Sequence, residues 1–218
     1  MRSLPLPVTL AARLLPVVVL ACAGWAWSTG PLSDSADTRR EEAAPQPSAS
    51  ASHGPSESVA AKTYAKPPAP CSAVTGSTVT ALVPGAKAAG KELAATDEAV
   101  RRGCSWSALK GYDYRWLDVT FEVKDSDALA KRSFAAGRDA GDAARDIGDE
   151  ARLSTHLVTK DKQQTREAVL TARAANTLVT VTYNGSDFES KGAPSADTVG
   201  EGAARAARDA VAALRASH

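Results

Sequence analysis

The chain has 218 residues, of which 23% are charged and only 5% aromatic, with a formal net charge of +1. This near-neutral balance removes the basic footprint expected of a nucleic-acid binder. No internal repeat is present, and the residues beyond a long polar tract suffice for one domain with a single core.

At the N-terminus, Leu14 to Trp27 (LLPVVVLACAGWAW) is uncharged and follows Arg2 and Arg13. Basic residues ahead of an apolar stretch stay in the cytoplasm, so the rest of the chain is expected on the extracytoplasmic side. Residues 1–30 fit two kinds of anchor. As a lipoprotein signal, Val19-Leu20-Ala21-Cys22 forms a lipobox whose Cys22 thiol receives the lipid. As an uncleaved signal anchor, the span starts near Val8 to reach the about 20 residues that cross hydrocarbon, with Arg13 snorkelling and Trp25 and Trp27 at the interface. With either anchor the membrane is the partner at this end; simple cleavage and secretion is the remaining reading.

Residues 31–70 are rich in Pro, Ser and Ala and poor in large apolar side chains. Such a segment buries too little surface to offset its ordering entropy. It reads as a tether, with a reach of roughly 35 Å as a flexible coil.

Residues 71–216 are expected to fold outside the cytoplasm, where Cys71 and Cys104 form a disulfide. Closing a loop of about 34 residues is worth roughly 4 kcal/mol in the chain-entropy account. Ser72 is expected to cap a short helix through Val74, Val79, Leu82 and Val83, ended by Pro84-Gly85. Tyr114 to Val123 alternates, placing Leu117, Val119, Phe121 and Val123 on one face. Cys104 to Leu109 pairs with it across Gly111. Ser126 opens a helix through Leu129 and Phe134 into the small residues from Ala136 to Ala144, whose Gly137 and Gly141 suggest close approach to the sheet. Arg152 to Thr159, Glu167 to Arg173 and Thr177 to Tyr183 form a second strand group, with Asn176 expected at positive φ in the last turn. From Ser195, Val199, Ala203, Ala206, Ala210, Val211 and Leu214 recur at helical spacing. The order predicts an α+β domain, an antiparallel sheet of about five strands with helices packed on it.

Three features of this domain resemble a family. Pro70-Cys71-Ser72 follows a Pro-rich tether, Cys104-Ser105-Trp106 gives a Cys-x-Trp context, and Ile147-Gly148-Asp149-Glu150-Ala151 precedes Arg173 to Asn176 and the strand Leu178 to Tyr183. In this order they resemble actinobacterial lipoproteins built on a domain of unknown function. The layout is also similar to the extracytoplasmic sensor domains of some actinobacterial membrane kinases. The resemblance implies a cell-envelope location and an α+β fold with a cleft. Ala175 stands where members often have Gly.

Catalytic signatures are sparse. The three histidines are His53 in the tether, His156 in the domain and His218 at the end, and their spacing assembles no metal site. No nucleophile elbow, phosphate loop, metalloprotease helix or paired Cys-x-x-Cys occurs. Asp125 and Asp127 lack the other ligands of a calcium loop and read as helix caps. Asp149 and Glu150 are adjacent, so in a strand they point to opposite faces and a turn is the simpler reading. No cofactor is expected. The surviving hypothesis is a non-catalytic domain that binds a ligand or protein partner in the envelope. Tyr114 and Trp116 project from the sheet opposite the core, with Trp106 and Tyr112 close by, and His156, Arg152 and Ser154 share a strand face that adds polar contacts. The alternatives are a structural or accessory envelope protein with its aromatics all buried, and an envelope hydrolase built on His156 and a carboxylate.

Overall fold

The computed structural model describes residues 62–137 and 141–217. The expected anchor at 1–30, with Cys22, and most of the tether lie outside the described residues. Among the described residues no helix is long and apolar enough to cross a membrane.

Seven strands form one antiparallel sheet among these residues: β1 Lys91–Leu93, β2 Arg101–Lys110, β3 Asp113–Val123, β4 Asp142–Ala143, β5 Glu150–Lys160, β6 Gln163–Ala174 and β7 Thr177–Asp187. Their order across the sheet is β1-β2-β3-β7-β6-β5-β4. The α+β class holds, but with seven strands in place of about five. The two extra strands are the short edges β1 and β4, three and two residues long, which carry too few residues for an alternation signal. Three helices complete the unit: α1 Gly76–Leu82, α2 Asp127–Ala136 and α3 Ala196–Ala216.

The core lies on one side of the sheet, under α3. Leu117, Val119 and Phe121 on β3 face Tyr183, Val181 and Val179 on β7, and Ala168, Leu170 and Ala172 on β6 continue the layer. Onto it α3 lays the expected stripe, with Val199, Ala203, Ala206, Ala210, Val211 and Leu214 all buried. Small side chains let the helix sit close. At Gly202 a Cβ would lie 2.6 Å from the Tyr183 ring. The Tyr183 hydroxyl donates to the Leu82 carbonyl at 2.7 Å, tying the last turn of α1 to the sheet, and burial pushes its pKa up.

Cys71 and Cys104 are disulfide-bonded, with Cα atoms 5.0 Å apart. The helix expected from Ser72 divides in two: Pro70–Ser72 is a 3₁₀ turn, and Thr75 is the N-cap of α1, its hydroxyl accepting from the Thr78 N–H. The packed unit also reaches forward of the expected start at Cys71. Tyr64 is buried, and the buried Asn176 side chain accepts from its N–H at 2.8 Å and donates to its carbonyl at 2.9 Å.

The helix opened by Ser126 ends at Ala136, earlier than the expected run to Ala144. Gly141 instead approaches the sheet edge, where a Cβ would sit 2.3 Å from the Leu153 carbonyl oxygen. The small residues there serve a strand edge in place of a helix face. In the β6–β7 turn the left-handed residue is Ala175 (φ 48°), not Asn176. Alanine in that region costs about 1–2 kcal/mol, and glycine adopts it freely at the expense of unfolded-state entropy. Ala175→Gly is therefore expected to raise stability by about 1 kcal/mol, read as a higher urea midpoint at unchanged slope.

A contact face on the outer side of the sheet

Strand alternation sends the odd-numbered side chains of β3 from Leu117 to Val123 into the core and the even-numbered ones outward. At one end this outer face is covered by α2, where the Arg152 guanidinium stacks 4.3 Å from the Phe134 ring centroid and donates to the Phe134 carbonyl. Beyond it Ser107, Trp116 and His156 are exposed, Glu167 is half-buried and Asn184 is buried.

Register fixes its layout. Ser107, Trp116, Asn184, Glu167 and His156 are successive cross-strand partners through β2, β3, β7, β6 and β5, forming one row across the sheet. With strands about 4.8 Å apart, Trp116 and His156 stand about 14 Å from each other along it. Beside Trp116, Leu109 faces Tyr114 across the hairpin, and the Tyr114 ring lies 6.2 Å from that of Phe188. Leu109, Tyr112, Trp116 and Phe188 are all exposed. The structure thus gathers an apolar cluster at one end of a polar row.

Trp116 anchors the cluster. Its side is 39% exposed, yet its indole N–H is shared between Ser105 Oγ at 2.8 Å and Asp118 Oδ1 at 2.7 Å. A ring held by both strands presents its face to solvent without losing much rotamer freedom on contact.

The expected position of Trp106 needs correction. It is 2% exposed, within the core, and its indole N–H donates to the Ala88 carbonyl at 3.1 Å. The hairpin register pairs Trp106 with Leu117, a core residue, and directly paired residues share a face. The same rule makes Leu109 a neighbour of Tyr114, so the two-residue turn at Gly111-Tyr112 held both answers. Phe188 follows the end of β7 and has no comparable sequence signal. His156 shares the outer face with Trp116, separated by the β7 and β6 strands.

At the far edge His156 lines a cavity of about 460 Å³ together with Asp142, Asp197 and Glu201. Among the described residues, no group of three or more His, Cys, Asp or Glu could hold a metal ion. The Asp149-Glu150 pair clamps a single guanidinium, accepting from Arg173 at 3.0 and 2.5 Å. Asp125 pairs with Lys62 at 2.7 Å, and Asp127 occupies the first turn of α2.

The loop that carries Phe188 depends on Asp187. Hydrogen bonds from Ser190 first, and then from the Glu189 N–H and the nearby charge of Arg115, hold the Asp187 carboxyl below the usual carboxylate range. A depressed carboxyl supports the fold above its unfolded pKa, and that support is lost as pH falls through the folded value. Acidification below the usual carboxylate range is expected to release the Glu189 and Ser190 amides, visible as faster hydrogen exchange there before any change in the core strands.

No protein-family model and no curated protein matches the chain. A crystal structure from Bacteroides thetaiotaomicron VPI-5482 is similar over 57% of this chain and 47% of its own, with 11% identity and a TM-score of 0.30. The present chain spans about half the length of that one.

Proposed function

We propose that this protein is a membrane-anchored, non-catalytic extracytoplasmic domain that binds a ligand or protein partner in the cell envelope through the outer face of its sheet. The observation that carries the reading is Trp116, an indole fixed by two hydrogen bonds and left accessible beside Tyr114 and Phe188. Large aromatic side chains exposed together mark contact surfaces. In the row across the strands, Ser107, Glu167 and His156 offer hydrogen-bonding groups to whatever stacks on the ring. A purely structural envelope protein requires its aromatics to be covered, and the exposure of Trp116 weighs against that reading. The N-terminal apolar segment and the resemblance to actinobacterial envelope lipoproteins support the location.

Iodide quenching of tryptophan fluorescence tests the reading on the full chain. Trp116→Phe is expected to lower the quenchable fraction, and detergent-solubilised envelope material is expected to shield the wild-type protein while leaving the variant unaffected. Equal quenching before and after that addition would count against a contact at Trp116.

A further inference from the structure

The side of the sheet that carries the core changes character at one end. The alternation that buries Trp106 against Leu117 places Ala108 with Arg115, and Lys110 with Asp113, on that same side of the hairpin. There the end of α1 meets the first turn of α3, and the apolar layer gives way to charge. A cavity of about 450 Å³ opens at this junction, lined among others by Leu82, Pro84, Lys110, Asp113, Arg115 and Tyr183. Its size is that of a small-molecule site. Because it lies on the α3 side of the sheet and Trp116 on the other, it is separate from the contact face proposed above.

Arg115 is held by its surroundings. Its side chain is 18% exposed, Nη1 donates to the Tyr114 carbonyl at 2.9 Å, and the same nitrogen lies 3.3 Å from Asp113 Oδ1. The guanidinium lies across the bare backbone of Gly185, where a Cβ would come within 2.8 Å of Nη1. It also bears on the Tyr183 hydroxyl, which is fixed in turn by the Leu82 carbonyl. A guanidinium has five N–H donors. Nη1 uses two of them and the Tyr183 hydroxyl can take a third, which leaves two for a ligand. Lys110, on the rim, has no ion-pair partner among the described residues.

We infer that this cavity binds a small carboxylate with an apolar body, the carboxylate on Arg115 and Lys110 and the body against Leu82 and Pro84. A planar guanidinium matches a carboxylate through two parallel hydrogen bonds. The charge around the cavity selects a single negative charge. Lys110, Arg115 and Arg166, which flanks Gly185 on the side away from Arg115, are set against Asp113 and its cross-strand neighbour Asp187, so one positive charge is in excess. Asp187 is already engaged by the Glu189 and Ser190 amides. A doubly charged phosphate would exceed that excess and be repelled by Asp113.

The test uses the full chain in non-ionic detergent, with para-fluorobenzoate as the probe and its fluorine resonance as the readout. The wild type is expected to broaden the signal saturably, at the millimolar concentrations suited to so small a ligand. Neutral para-fluorobenzamide should give no saturable broadening. Lys110 is exposed, so Lys110→Met leaves the fold alone and should weaken binding about tenfold, the order of one charge-assisted hydrogen bond. Arg115→Lys keeps the charge, loses the fork and should weaken it further. Asp113→Asn removes the carboxylate that competes for Arg115 and should tighten binding several-fold, a result that misfolding cannot imitate. Unchanged far-ultraviolet circular dichroism verifies folding in each case. No saturable broadening by the wild type, or an affinity that Lys110→Met and Asp113→Asn leave unchanged, overturns the inference. Equal binding of the benzamide, or displacement of the probe by inorganic phosphate as readily as by benzoate, overturns it as well.

Discussion

Replacing Asn176 with leucine is expected to cost the domain about 3–5 kcal/mol, from the roughly 1–1.5 kcal/mol of each of three lost hydrogen bonds and the burial of their orphaned partners. Asn176 is completely buried. It accepts from the Tyr64 N–H and donates to the carbonyls of Tyr64 and Lys124 at 2.9 and 2.8 Å. One side chain thus binds the segment entering the domain, the end of β3 and the β6–β7 turn. Lys62, two residues ahead of Tyr64, adds a surface pair to Asp125, worth little by itself. Asn176→Asp discriminates hydrogen bonding from size. It keeps the acceptor for Tyr64 but turns oxygen toward two carbonyls, so it should be at least as damaging as leucine in urea unfolding at neutral pH. A variant within 1 kcal/mol of wild type would mean that this junction contributes little, by roughly the margin of one hydrogen bond.

Removing the disulfide is the second large effect. Cys71 and Cys104 lie 33 residues apart in sequence and join the 3₁₀ turn at Pro70–Ser72 to β2. The chain-entropy account gives about 4 kcal/mol for a loop of this length. The double variant Cys71→Ala and Cys104→Ala avoids burying a hydroxyl at Cys104, which is fully buried. At about 3 °C per kcal/mol for a domain of this size, its Tm should fall by about 12 °C. Dithiothreitol should produce the same drop in the wild type and none in the variant. The two changes remove ties on the same entering segment, so their combined effect should fall short of the sum.

Much of the fold was legible because its strands alternate and its helices are capped. The β3 alternation and the α3 stripe assigned core residues correctly, and Ser126 opens the helix expected of it, whereas the cap expected at Ser72 falls at Thr75. Other features escaped. The edges β1 and β4 are too short to carry a period. The small-residue run after Phe134 suits a helix and a close strand approach equally, and only the position of Gly141 against Leu153 decides between them. The role of Asn176 was read as backbone freedom, whereas its side chain is the buried partner of residues 112 and 52 positions earlier.

The motifs behind the family resemblance have a structural meaning of their own. Gly148 takes positive φ, the Asp149 N–H donates to the Arg173 carbonyl, and Asp149 and Glu150 hold the Arg173 guanidinium. The Ala175 N–H also donates to Asp149 Oδ2 at 2.8 Å. Segments far apart in sequence therefore lock one turn, which explains their residue types without invoking a reaction. The contact face was legible in part. Alternation placed Tyr114 and Trp116 outward, and hairpin register, which decides between Trp106 and Leu109, was the missing step.

The central claim is that the outer face meets something in the envelope. Hydroxyl-radical footprinting of the full chain in native membranes, set against the purified protein, addresses it residue by residue. The account predicts that oxidation of Trp116 and Phe188 drops in membranes while that of Val100, exposed elsewhere on the domain, stays the same. Equal oxidation of Trp116 in both states would contradict it.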